Sequence, residues 1–307
     1  MARKRTGALR RAAAVRTVLM GLALAAAGVP AGAQTDRPPE EELAGLQERG
    51  RQIALYLQAV DKADALLKAQ GGGVTPPERT VAILDREGWR VVYLASPPGG
   101  SAAPGAPAKK GLVIVAETTF SPDSGQLGAF KAMVPSKIAP ASIQNYVRSL
   151  EEAEKATLSG PEPFLEAVVR ESDGTFSVYI MSQRQEDGAA SPAAERRGSI
   201  VLGRDFLVRI GANGKQVVTD RLHDTVAALP LQPRAPGAPL LHEHDKGDLP
   251  APTDVALVLR HPVLAPLLVL TPRFMFRVDK EGTVTWLGPN PNPKPAASAA
   301  PPGTGRS

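Results

Sequence analysis

Two of the chain's four histidines, His242 and His244, stand one residue apart in the stretch LLHEHDKGDLPAPTDVALVL, residues 240–259. A carboxylate, Asp254, follows ten positions after the second of them. If the LLHEH segment ends a strand, alternate side chains share a face, so His242 and His244 point one way and Glu243 the other. Two neutral imidazole nitrogens on one face suit a divalent metal. The intervening DKGDLPAP reads as a loop, and Thr253 or Asp254 can open the helix DVALVLRH. An aspartate in a first helical turn has a fixed direction and supplies a third ligand. Catalytic zinc takes three protein ligands and a water, and His242, His244 and Asp254 fill those three places. The plainer reading of the same residues is a hydrophilic turn, with Asp254 as a helix cap and the histidines solvated.

Positioning such a set falls to the elements around it. The apolar spacing of Leu43, Leu46, Ile53, Tyr56, Leu57 and Val60 predicts a helix over about 41–70, stopped by Gly71-Gly72-Gly73. Residues 80–84 and 89–95 read as a hairpin, and GLVIVA at 111–116 as a buried strand ending in Glu117. Residues 118–140 carry no clear period. A second helix is expected from Ser142 to about 158, then hairpins over 164–180, 206–219 and 274–287, with Asp-Gly or Asn-Gly at two of the turns. A buried strand at 266–270 follows the Asp254 helix. Residues 184–198 read as a long loop. Of the remaining histidines, His223 in RLHDTV reads as a structural or surface residue that could approach the cleft. His261 suits a helix C-terminus, where a cation is favoured.

The 307 residues carry a net charge of +5, but its source is local. Arg3, Lys4, Arg5, Arg10, Arg11 and Arg16 precede the apolar run VLMGLALAAAGVPAGA, which closes on Ala31-Gly32-Ala33. That order of basic, apolar and small residues predicts a signal peptide over residues 1–33, cleaved before Gln34, and hence a periplasmic or secreted protein. Without it, 30 Lys and Arg face 31 Asp and Glu, which gives no support to nucleic-acid binding. The run is too short for a permanent membrane span. The absence of cysteine excludes disulfides, a thiol nucleophile and an iron–sulfur centre.

On HEHDKGDLPAPTDVALVLRHPVLAPLLVLTPRFMFRVDKEG, and less strongly on YVRSLEEAEKATL and PFLEAVVRESDGTFSVY, the sequence resembles the JAB/MPN superfamily, whose active branch is the JAMM metallopeptidases. The likeness spans roughly residues 143–287 and is nearest to bacterial relatives of unknown function. It implies an α/β fold, a mixed and mostly antiparallel sheet packed by helices. It implies Zn²⁺ held by His242, His244 and Asp254, with Glu166 as general base. Chemistry alone asks for such a carboxylate, because a metal-bound water must lose a proton and a leaving amine must gain one; Glu166, Glu171 and Glu117 are the strand-borne candidates. The implied function is zinc-dependent hydrolysis of peptide or amide bonds in an extracytoplasmic compartment, on a peptide or envelope-protein partner. The alternatives are a non-catalytic JAB-like binding or structural module of the cell envelope, and a metal hydrolase acting on another substrate. Active members have eleven positions from the second histidine to the aspartate and a serine three before it; here there are ten, and Ala251 stands in the serine's place. The expected organisation is an N-terminal helix and strands over 34–110, as extension or early part of the domain, the JAB/MPN-like domain over 111–288, and a disordered Pro/Ala/Gly tail over 289–307.

Overall fold

The computed structural model describes residues 37–71, 75–85, 88–97, 111–157, 164–182, 199–203, 205–223, 226–230, 235 and 237–293. The expected signal peptide over 1–33, the expected loop over 184–198 and most of the expected tail over 289–307 lie outside them. Within them the architecture is mixed α/β, with largely antiparallel sheets packed by helices. No described helix is long and apolar enough to cross a membrane.

The chain opens with α1, Glu40–Ala69. Pro39 cannot continue a helix toward the N-terminus, and its carbonyl accepts the amides of Glu42 and Leu43. Glu40, Glu41 and Glu42 place negative charge on the positive end of the helix dipole. The helix closes beside Gly71, whose φ of +59° glycine adopts without strain. Its buried face runs through Leu43, Leu46, Gly50, Ile53, Leu57 and Ala63.

Strands β1 (Arg79–Asp85), β2 (Gly88–Ala95), β3 (Val113–Ser121), β4 (Gln126–Leu127) and β5 (Lys131–Ile138) form the first antiparallel sheet. It pairs β2 with β3, so the strands on either side of residue 110 belong to one sheet. The segment 118–140, which lacked a legible period, carries the end of β3 and all of β4 and β5. The reason is exposure: β5 borders only β3, and Val134 and Ile138 face solvent, so no buried face imposes alternation on the sequence.

Helix α2 (Ala141–Thr157) packs on the second sheet, ordered β10-β9-β7-β6. Its strands are β6 (Phe164–Arg170), β7 (Phe176–Ser182), β9 (Phe206–Ile210) and β10 (Gln216–Arg221). Strands β8 (Ser199–Leu202) and β11 (Ala227–Pro230), which the sequence reading did not anticipate, form a separate antiparallel pair.

The last sheet is ordered β12-β13-β14-β15, with β12 at Leu240–Glu243, β13 at Leu267–Leu270, β14 at Phe274–Val278 and β15 at Val284–Pro289. Strands β12 and β13 run parallel. Two antiparallel strands can be joined by a tight turn, but a parallel pair needs a crossover, and here it contains α3, Pro252–Arg260. That crossover carries Asp254.

Two hydrophobic clusters result. One gathers β1–β3, α2, β6, β7 and β9 around Ile53, Tyr56 and Leu57 of α1. The other gathers α3 and β13–β15 around Leu43 and Leu46.

Candidate metal centre

Strand β12 alternates as its pattern requires. Leu241 and Glu243 are exposed while His242 is 1% and His244 is 2% exposed. The His244 amide donates to the Leu270 carbonyl at 2.6 Å, extending the β12–β13 ladder by one residue and fixing the second imidazole on the same face. The loop that follows is tied down at Asp248. Its carbonyl accepts the Thr271 hydroxyl at 3.2 Å, and its carboxylate pairs with Arg273 at 3.0 Å.

Asp254 is fully buried. Pro252 starts α3, where its missing amide costs nothing. One carboxylate oxygen, Oδ2, accepts the Ala251 amide at 2.8 Å, and the Asp254 amide returns a bond to the Ala251 carbonyl at 3.0 Å. The helix cap and the ligand are therefore the same side chain. The other oxygen, Oδ1, is buried without a hydrogen-bond partner.

A fourth donor joins these three. His223 lies two residues beyond the end of β10, and the Leu222 amide donates to the Asp205 carbonyl at 2.8 Å, which holds this segment in place. Its Nε2 lies 2.9 Å from His244 Nε2 and 3.6 Å from Asp254 Oδ1. His242 Nε2 is 3.5 Å from Asp254 Oδ1, and His244 Nε2 is 2.7 Å from Asp254 Oδ2. The ligand atoms of His223, His242, His244 and Asp254 all lie within 4.8 Å of one another. Four atoms at about 2.05 Å from a tetrahedral zinc stand about 3.3 Å apart, so the set needs little adjustment to close on an ion. Both nitrogens of His242 and Asp254 Oδ1 lack hydrogen-bond partners in their burial, a costly arrangement that a cation would relieve. The donors suit a divalent ion such as zinc; imidazole also serves copper, iron and nickel.

The electrostatics of the cluster agree. Burial opposes the Asp254 charge, yet the imidazoles of His244, His223 and His242 outweigh it and hold the carboxyl well below the usual range. Burial pushes His242 down to about 4. Burial also works against a charged His223, but Asp254 and then Asp205 raise it overall. Asp205 Oδ2 lies 3.6 Å from His223 Nδ1, beyond hydrogen-bond reach but on the side from which an outer carboxylate orients a metal-bound histidine.

The structure thus brings together three of the four expected site residues, His242, His244 and Asp254, and leaves Glu166 apart. Glu166 pairs across the second sheet with Ile180, Ile180 with Phe206, and Phe206 with Arg221. Three strand spacings, about 14 Å, separate it from the strand that leads into His223. Its carboxylate accepts from Arg79 at 3.0 Å, and Arg79 also holds Glu154 at 2.6 Å. Burial, and then the neighbouring Glu154, raise Glu166 to about 7. The other two carboxylates are also engaged, Glu171 with Arg49 and Ser177, and Glu117 facing Arg90. His223 was the residue that sequence reasoning passed over. Its only local signal was its place just beyond a strand, because the partners that define it lie 19, 21 and 31 positions downstream.

The Glu166 shift carries a testable consequence. Its folded-state value lies above its ordinary 4.5, so the folded chain holds the extra proton and stability falls as pH rises from about 4.5 to about 7. Glu166→Gln should therefore raise stability at pH 8 by about 1 kcal/mol, seen as a higher melting temperature, and the gain should vanish near pH 5. Thermal melts of both proteins at the two pH values check this. A loss of stability at pH 8 would show that the Arg79 pair outweighs the crowding of carboxylates.

No protein-family model matches the chain, and neither does any curated protein or solved structure.

Proposed function

We propose that this chain is an extracytoplasmic, JAB/MPN-like module built on a closed divalent-metal centre, with zinc the fitting ion, and that the metal secures the fold. The carrying observation is the fourth protein donor. Catalytic zinc keeps a position open for water, whereas structural zinc is enclosed by four ligands. His223, His242, His244 and Asp254 supply four donors, and none is more than 2% exposed. Bound there, an ion would balance the buried Asp254 carboxylate and join three separate segments: the end of β10, strand β12 and helix α3. The JAB/MPN part of the reading rests on the His-x-His at a strand end and the aspartate in the first turn of the next helix. The extracytoplasmic part rests on the basic, apolar and small-residue order of residues 1–33.

Hydrolysis of peptide or amide bonds is the second reading, and one arrangement favours it. His223, backed by Asp205, stands beside a three-donor set, as a general acid–base histidine stands with its orienting carboxylate. His223→Ala separates the two. For a closed centre, the purified chain carries about one zinc, and the variant loses zinc affinity by more than about tenfold and melts earlier. Wild-type protein then cleaves no member of a peptide library. Retention of zinc by the variant, with loss of a peptide turnover that the wild type shows, would replace the closed centre with the hydrolase.

A further inference from the structure

None of the four donors of the metal centre is open to solvent, His223 and Asp254 being fully buried and His242 and His244 only 1% and 2% exposed. An ion reaches them only if a covering segment moves. The stretch from Asp245 to Asp248 is placed to be that segment. The parallel register that pairs Glu243 with Leu270 continues through the His244 amide, so His244 stands beside Thr271 at the C-terminal end of β12 and β13. Four residues later the chain is back at the same end, where the Asp248 carbonyl accepts the Thr271 hydroxyl at 3.2 Å. The intervening residues therefore form a short flap at the strand end that carries His244. Lys246 and Gly247 are its exposed tip, and Gly247 takes a φ of +69° there. Burial weighs most on His223 and His242, and the Asp245 carboxylate acts against it at both rings, which sets the base of the flap near the imidazoles.

The flap and its seat are held very differently. The Thr271 amide donates to the Phe274 carbonyl at 2.9 Å, the Phe274 amide to Thr271 Oγ1 at 3.0 Å, and Asn290 Nδ2 to the Thr271 carbonyl at 2.7 Å. The ties from the flap to that seat are weaker. The Thr271 hydroxyl has one proton for two acceptors, the Asp248 carbonyl at 3.2 Å and the Phe274 carbonyl at 3.1 Å. The Asp248–Arg273 pair, at 3.0 Å, has both side chains about half exposed, where an ion pair contributes little. Pro250, buried and fixed in φ, limits movement on the far side.

We propose that residues 245–248 are the gate through which the metal enters and leaves the centre, latched by Asp248 on Thr271 and Arg273. The gate rests on the closed four-donor centre proposed above. It lies on the path in both directions, so weakening its latch speeds uptake and release together and leaves the affinity alone.

The test follows zinc release from the loaded chain into excess EDTA, and zinc uptake by the chelated chain, by stopped flow with a zinc-responsive dye. Arg273→Gln and Asp248→Asn should each speed both by about two- to fivefold with an unchanged Kd. The double variant should be no faster than the singles, since each removes the same pair. Arg277→Gln, at an exposed arginine of β14 outside the flap, is the charge control and should leave both rates as they are. Wild-type release should also outrun global unfolding, read from tryptophan fluorescence. Unchanged rates in both latch variants, faster release without faster uptake, an equal effect of Arg277→Gln, or release no faster than unfolding would each overturn the gate while zinc still binds. A chain that takes up no zinc would instead overturn the centre itself, and the gate with it.

Discussion

Asp254→Asn should release the metal and lower stability by about 3–5 kcal/mol, the usual cost of removing one partner from a buried charge cluster. At roughly 2–4 °C per kcal/mol for a domain of this size, the melting temperature drops by about 10 °C. The substitution is nearly isosteric. An asparagine oxygen can still accept the Ala251 amide that Oδ2 now accepts, so the helix cap survives and the measured loss reports the charge. Chelated wild-type protein should show a related acid sensitivity. His242 sits near 4 in the folded chain against an ordinary 6.5, so the unfolded chain binds more protons in that interval. Stability from this group is complete above about 6.5 and is lost as pH falls toward 4. Asp254, held well below 3.8, extends the loss further into acid. Thermal melts with and without chelator, from neutral pH down to 4, check both statements. An Asp254→Asn protein that keeps its zinc and its melting temperature would remove the residue from the centre.

Gly50→Ala should destabilise by about 2 kcal/mol or more, although alanine is the better helix former by about 1 kcal/mol. A Cβ at Gly50 would lie 2.5 Å from Val255 Cβ and 2.9 Å from the Pro252 carbonyl oxygen. The second of these is backbone, so the strain is met by moving α3 away from α1. Pro252 is two residues before Asp254, and the displacement should weaken zinc binding as well. Gly45→Ala supplies the control. It is on the same helix, exposed, with nothing within 4 Å of its Cβ position, and should stabilise slightly. Equal melting temperatures for the two variants would show that the α1–α3 contact has slack beyond its close packing.

Much of the scaffold was legible because buried faces write periods into sequence. Helix α1 was expected over 41–70 and spans Glu40–Ala69, and the hairpins of β6–β7, β9–β10 and β14–β15 fall where their turn residues placed them. Strand β5 was missed because it borders only β3 and is largely exposed, so no period marks it. The metal set was legible only as far as it is local. His242, His244 and Asp254 lie within 13 residues and share one crossover, so spacing alone grouped them. His223 reaches them through the pairing of β10 with β9 and the Leu222–Asp205 bond, contacts that no local pattern encodes. Glu166 has the right chemical type at a strand start, but cross-strand register, invisible in one sequence, sets it beside Arg79 instead.

Helix α1 is about 45 Å long, and its buried residues divide between the two hydrophobic clusters, Leu43 and Leu46 to one and Ile53 to Ala63 to the other. Helix α3 divides likewise, Val255 and Val258 against Ala256. Neither cluster can melt without baring a strip of apolar surface that the other still needs covered. Local fluctuations that would free one sheet therefore carry the cost of both, and the molecule resists partial opening as a unit. A chain without cysteine, and so with no disulfide to hold a loosened part in place, would gain from that shared spine. Within the described residues, proteases meet either the packed sheets and helices or a rare, globally opened form.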